Sequence, residues 1–261
     1  MSPEFSIIIP TYNNLPLFKR ALESVRCQKG ASFEVVVVDD SYNNKDIERF
    51  VQSLNDSRIS YCHNIPPLGA VYNWNYGLQL CKGQYLLLLH HDESLGNDYC
   101  LAQAKKLLIT HDIVIGKVEV HSHEGKIYKI APKWFVHFVL RHPSLLFAVN
   151  IIGPTATMVF RKEILQPFDT QVHWFVDVEW YYRMLKSSKK CFCNRITIIS
   201  HHGHLGQITM NIDTTSEAKK DAVILKNKYC SNKTICLAMW VYIHIIHNTN
   251  IRSLTKTLLK R

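Results

Sequence analysis

Four short apolar runs, separated by three segments of helical spacing, fill the first ninety residues and constrain the fold more than any other feature. Phe5-Ser6-Ile7-Ile8-Ile9 is a β-branched run stopped by Pro10, and residues 15–28 follow with Leu15, Phe18, Leu22 and Val25 on one helical face. Phe33 to Val38 is a second strand, ended by Asp39-Asp40-Ser41, and Ile47, Phe50, Val51 and Leu54 mark a second helix. Arg58–Cys62 gives a third strand, residues 70–81 a third helix and Tyr85–Leu89 a fourth strand. Strands apolar on both faces, alternating with amphipathic helices, predict a parallel sheet covered on both sides. Such sheets bind ligands at the carboxyl ends of their strands. Three of these ends carry polar clusters: Thr11 to Asn14, Asp39-Asp40-Ser41 and His90-His91-Asp92-Glu93.

Downstream, residues 97–110 read as a helix, and Ile113–Val120, Lys126–Ile130 and Ala156–Phe160 read as strands. Val176–Leu185 reads as a helix entered through an acidic turn, while the aromatic stretch Lys133–Asn150 has no clear period. From about residue 215 the pattern is helical and increasingly basic. The expected organisation is a domain over 1–214, with a nucleotide-binding half at 1–95 and an acceptor half at 96–214, followed by a basic helical tail at 215–261.

Several chemistries are excluded by missing motifs. There is no GxGxxG after the first strand, no GxxxxGK[ST] and no GxSxG. The eight cysteines form no CxxC pair and fall mostly in apolar runs, which reads as reduced thiols in a cytosolic protein. No signal-peptide pattern opens the chain, and no apolar run reaches the roughly 18 residues of a spanning helix. The formal net charge of +10 favours anionic partners, and its excess lies near the C-terminus. With no recognised nucleic-acid module, that charge predicts a phosphorylated ligand or an anionic membrane surface, not nucleic acid.

Ile9-Pro10-Thr11-Tyr12-Asn13-Asn14 resembles the opening signature of family 2 glycosyltransferases, and Val37-Val38-Asp39-Asp40-Ser41 resembles their second strand end. Gly69 through Asn75 and Gly77, then Lys82-Gly83-Gln84-Tyr85, is similar to the helix before their metal strand. The segments Gly153–Arg161 and Asp177–Arg183 extend the likeness, which covers about residues 5–210. The resemblance implies a GT-A fold: Rossmann-like, with a mainly parallel central sheet, helices on both faces and, here, a C-terminal helical tail.

It also implies a site. Pro10, Thr11, Tyr12, Asn13, Asp39, Asp40, Asn75 and His91 would hold the nucleotide, with Tyr12 packing on the base and Asp40 accepting from a base or ribose donor. The family's DxD metal motif reads His90-His91-Asp92 here, so Asp92 matches the second aspartate and His90 replaces the first. Imidazole suits Mn²⁺ better than Mg²⁺, and His90 alternatively donates to a phosphate. His204 matches a histidine that reaches the metal or diphosphate in relatives, with His201 and His202 as rivals. Asp177 matches the catalytic base, with Glu179 as competitor and an N-cap as the alternative role for Asp177. Trp174, Phe175, Trp180 and Tyr181 offer aromatic faces for an acceptor sugar.

The implied activity is an inverting, divalent-cation-dependent transfer from a UDP- or dTDP-sugar to a saccharide, with a lipid-linked oligosaccharide of bacterial O-antigen or capsule assembly as acceptor. A non-catalytic nucleotide-binding or scaffold protein of the same fold is the alternative. The expected location is cytoplasmic or peripheral on the inner face of the cell membrane. There Leu237, Trp240, Val241, Ile245 and Ile246, flanked by Lys233 and Arg252 to Arg261, would form an interfacial helix.

Overall fold

The computed structural model of the protein describes residues 2–122, 125, 127–129, 131–204 and 213–246. Its first half follows the predicted alternation: β1 (Phe5–Thr11), α1 (Leu15–Arg26), β2 (Phe33–Asp39), α2 (Asp46–Ser53), β3 (Ile59–His63), α3 (Ala70–Gln79) and β4 (Tyr85–Leu88). β1 pairs in parallel with β2 and β4, and β2 with β3, so their carboxyl ends lie on one edge. α1 starts with Asn14 accepting from the Leu17 N–H, followed by a proline in its first turn. α3 lies hard against the sheet because position 77 is glycine; a Cβ there would come within 2.5 Å of Ile8 Cγ2.

The second half departs from the expected sheet. β5 (Glu93–Leu95), α4 (Cys100–Leu108), β6 (Ile113–His121), β7 (Ile127–Lys129) and α5 (Lys133–Arg141) lead to β8 (Met158–Arg161), α6 (Val176–Lys186) and β9 (Lys190–His201). The sheet order is β3-β2-β1-β4-β8-β6-β9-β5, with β7 on β6. β8 runs antiparallel to both β4 and β6, and β5 runs antiparallel to β9. The sheet is therefore mixed, not mainly parallel. Two of its strands, β5 and β9, have no counterpart in the sequence reading. β9 interrupts its apolar positions with Asn194, Arg195 and Thr197, and β5 is only three residues long. The stretch without a clear period folds as α5 and a 3₁₀ turn at Pro143–Phe147.

Two apolar clusters cover the sheet. One gathers α1, α4 and one sheet face; the other gathers α5, α6, the 143–147 turn and the opposite face. α7 (Thr214–Lys228) and α8 (Lys233–Val241) join the second, burying Ala218, Leu225, Ile235, Ala238 and Met239. Among the described residues no helix is long and apolar enough to cross a membrane. Residues 247–261, including Arg252 to Arg261 of the predicted interfacial segment, lie outside the described residues.

Candidate active site

Three buried polar side-chain atoms without a hydrogen-bond partner among the described residues come from the predicted site: Thr11 Oγ1, His90 Nε2 and Asp177 Oδ1. Thr11 ends β1 and His90 follows β4, its parallel neighbour, while Asp177 lies in the first turn of α6. Burying a polar group without a partner is costly, so native proteins rarely do it outside sites where a ligand supplies the missing contact.

The ends of β1 and β2 are tied together. Asp40 N–H donates to Thr11 O at 3.0 Å, and Asn13 N–H donates to Ser41 Oγ at 2.7 Å. Asn13 sits at φ 50°, the left-handed region that asparagine tolerates, and Tyr12 beside it is exposed. Pro10, one residue earlier, is buried within β1 opposite Val38. The two aspartates organise loops. Asp39 Oδ1 accepts from Ser41 N and Oγ at 2.9 and 2.5 Å, and Oδ2 accepts from Tyr61 Oη at 2.8 Å. Asp40 Oδ1 accepts from Asn64 Nδ2 and Leu68 N, and Oδ2 from Gly69 N at 2.7 Å. Gly69 caps α3 with φ 84°, which turns its N–H toward that carboxylate. Beside these ends, a groove of about 580 Å³ runs between Tyr42, Lys45, Arg49, His63 and Ile65.

Asn75 faces elsewhere. Its amide pairs with both backbone groups of Phe168, at 3.0 and 2.8 Å, and so ties α3 to the loop before α6.

After β4 the chain turns tightly. Glu93, itself buried, accepts from His90 N–H through Oε2 at 2.9 Å and places Oε1 3.5 Å from His90 Nδ1. The His90 ring packs on Trp74 at 4.8 Å, with Thr155 Oγ1 3.4 Å from Nδ1. Burial disfavours the imidazolium, but the charges of Glu93, then Asp92 and Asp177, outweigh it and raise the His90 pKa to about 9. The same burial lowers the pKa of His91, whose ring centre lies 6.4 Å from that of His204.

β9 brings the downstream histidines here. Glu93 pairs with Ser200, and His201 N–H donates to Asp92 O at 2.9 Å. Beyond the strand, His204 Nε2 reaches Asp92 Oδ2 at 3.2 Å. Burial opposes ionisation of Asp92, yet the His204 contact and the charges of His90 and His91 hold its pKa at about 2. The rivals are engaged elsewhere: His201 Nε2 meets Ser94 Oγ at 3.1 Å, and His202 Nε2 meets Ser200 Oγ at 3.0 Å. His90, Asp92 and Glu93 offer ligand atoms all within 4.8 Å of one another. One imidazole nitrogen and two carboxylates form a donor set that fits a divalent cation once the cation displaces the proton that the neighbouring carboxylates otherwise hold on His90, with Mn²⁺ preferred over Mg²⁺. Glu93, the third member, sat in the sequence cluster without an assigned role.

α6 separates the two acidic residues of its first turn. The predicted cap is corrected: the N-cap is Phe175, and Asp177 lies inside the helix. Burial raises the Asp177 carboxyl above its ordinary value, an effect reduced by the His90 charge. Glu179 is fully buried and saturated. It pairs with Arg183 Nε at 2.7 Å, Lys228 Nζ at 2.9 Å and Tyr229 Oη at 2.6 Å. The α6 N-terminus is instead held by Asp221 of α7, also fully buried. Its carboxylate accepts from the N–H groups of His173, Trp174 and Phe175 at 2.6–3.1 Å. A carboxylate placed at a helix start also complements the helix dipole. Nothing in the local sequence signals this contact, which spans 46 to 48 residues. The expected aromatic platform is corrected too. Phe175, Trp180 and Tyr181 are core residues, and only Trp174 is partly open, donating to Tyr242 Oη at 2.7 Å.

Residues 6–181 match the family model "Glycosyl transferase family 2". A candidate colanic acid biosynthesis glycosyl transferase, WcaA, of Escherichia coli K12 is 31% identical over 190 residues, covering 70% of this chain and 67% of its own. Among solved structures, S. aureus TarS 1–349 in complex with UDP-GlcNAc superposes with a TM-score of 0.66 at 16% identity, covering 86% of this chain and 67% of that one. The mannosyltransferase PcManGT of Pyrobaculum calidifontis, with GDP-Man and Mn²⁺, gives 0.66 at 19% identity, covering 99% and 74%. At these identities the structural likeness establishes the fold alone.

Proposed function

Because this chain belongs to glycosyl transferase family 2 and is thus a glycosyltransferase, we propose that it moves a sugar from a nucleoside diphosphate sugar to a saccharide acceptor with inversion, using Asp177 as base. The single observation that carries the base assignment is Asp177 Oδ1: buried, without a partner among the described residues, and under the influence of the His90 charge. In the proposed step the acceptor hydroxyl oxygen bonds to the anomeric carbon and gives its proton to Asp177. The sugar–phosphate bond breaks, and the nucleoside diphosphate leaves with the bonding electrons. Burial tunes the carboxylate for this task, because a general base works best with a pKa nearer the working pH. Glu179, the competitor, has its oxygens committed to three protein partners.

The donor lies along the carboxyl edge in this reading. Thr11 and His91 line it, Tyr12 packs on the base, and Pro10 and Asn13 shape the strand end. Asp39 and Asp40 hold the loops that frame the base, and Asp40 keeps lone-pair capacity for a base or ribose donor. Asn75 acts through the Phe168 loop. The donor is a UDP- or dTDP-sugar. Asp92 and a deprotonated His90, with Glu93 beside them and His204 on Asp92, would hold a divalent cation. Such an ion supplies positive charge against the diphosphate leaving group. The complete arrangement is GT-A in type, and the route served is bacterial surface polysaccharide, with a saccharide or lipid-linked acceptor. Relatedness to the colanic acid enzyme candidate supports that placement.

Purified protein incubated with a panel of nucleotide sugars tests the reading. Hydrolysis or transfer from a UDP- or dTDP-sugar is expected. No turnover of any donor, with nucleotide still bound, would instead favour the non-catalytic reading, for which the exchange of the first motif aspartate for His90 is the supporting feature.

A further inference from the structure

Away from the strand ends, two helices present apolar faces to solvent. α5 buries Val136, Val139 and Leu140 but leaves Trp134 71% and Phe138 47% exposed. Their spacing of four puts them in one row on the outer face. Lys133, His137 and Arg141, again four apart and all exposed, form the row beside it. α8 repeats the arrangement. It buries Ile235, Ala238 and Met239 and exposes Leu237 at 62% and Trp240 at 52%. Trp240 stacks on His244 of the following turn at 4.9 Å. Both helices pack on the Pro143–Phe147 turn, so their outer rows flank one feature.

The sequence around both helices has no negative charge. From Gly125 to Lys162 there is no Asp or Glu among six Lys and Arg, and from Ala222 to Arg261 none among seven. We propose that the outer faces of α5 and α8 together form a docking surface for an anionic phospholipid bilayer.

Indole and phenyl rings beside Lys and Arg suit the boundary between headgroups and acyl chains: the rings enter and the cations remain with the phosphates. Helices without a single acid, with exposed Lys133 and Arg141 on α5 and Lys233 on α8, fit anionic lipid and oppose self-association, because a second copy would bring the same cations together. The surface also borders the segment leading into α6. Phe147 of the shared turn meets Phe175 at 6.1 Å, and Tyr242, just after α8, accepts from Trp174. Docking would therefore hold the entry to the Asp177 helix next to the membrane. The surface stands on its own observations and does not depend on which carboxylate is the base.

Co-sedimentation of the full chain with phosphatidylcholine vesicles, with and without phosphatidylglycerol, tests the proposal. Binding is expected with phosphatidylglycerol, weakened by salt, and weakened about tenfold or more in Trp134→Ser/Phe138→Ser. Lys133→Glu/Arg141→Glu, at exposed positions, should abolish the lipid preference without changing Tm. That pair keeps the test decisive if the aromatic variant folds poorly. Absence of binding to phosphatidylglycerol vesicles would overturn the proposal. So would wild-type binding by both variants, or a dimer in sedimentation velocity that the charge reversals dissolve while vesicle binding persists.

Discussion

Asp177 and Glu179 show how two carboxylates two residues apart receive opposite roles from their surroundings. Burial raises the Asp177 carboxyl, while Arg183, Tyr229 and Lys228 outweigh burial at Glu179 and lower it. Their identity as candidates was legible in the sequence; their division of labour was not, because Lys228 and Tyr229 are about fifty residues away. If Asp177 is the base, transfer needs its ionised form. The rate should then fall as pH drops through its raised pKa, so the acid limb of kcat should lie above the ordinary 3.8. A limb at or below that value would contradict the assignment. Glu179→Gln should act on stability instead. Breaking a buried pair costs about 3 kcal/mol, or roughly 6–12 °C in Tm for a chain this size. Because the folded Glu179 pKa is depressed, its contribution is present above the ordinary 4.5 and is lost as pH falls through the lower folded value. The Tm gap between wild type and Glu179→Gln should accordingly be wide at neutral pH and narrow in acid. An equal gap at both would show that charge is not the cause.

At the scale of elements, α6 is positioned by α7. Asp221 accepts the N–H groups at its start, and Lys228 and Tyr229 hold Glu179 one turn further on. Asp221→Ala leaves these buried donors unpaired and should cost about 3 kcal/mol or more. It should also lower kcat more than it weakens nucleotide binding, measured by transfer kinetics beside calorimetric titration, since the strand ends that would hold the nucleotide are untouched. Equal losses in both would mean general unfolding. α1 to α3 and β1 to β4 were legible because apolar runs and helical periods coincide with the elements. β9 was not, since its polar interruptions break the period, yet it carries His201 to Asp92. Local sequence does not tell a core face from an open one, so the aromatic residues around Asp177 read as an open platform although three of them are core. Packing of Trp180 on Phe168 at 4.4 Å belongs to the fold, not to a ligand.

For the whole molecule, the carboxyl edge of the parallel half was legible, and the mixed second half was not. Strand direction there is set by long connections that leave no local mark. The convergence of β4, β5 and β9 on His90, Asp92, Glu93 and His204 makes the cation proposal testable. UDP affinity should fall with EDTA, return with Mn²⁺ better than with Mg²⁺, and lose that dependence in Asp92→Asn. Affinity indifferent to EDTA would point to His90 acting on the phosphate alone. The most direct test of the central claim is single-turnover transfer by Asp177→Asn with a donor that the wild type uses. The substitution keeps the shape and removes the basic oxygen. Transfer should fall about a hundredfold or more, in the range for lost general-base catalysis, while donor affinity stays near wild type. Transfer at near wild-type rate by Asp177→Asn, with Glu179→Gln folded but inactive, would contradict it.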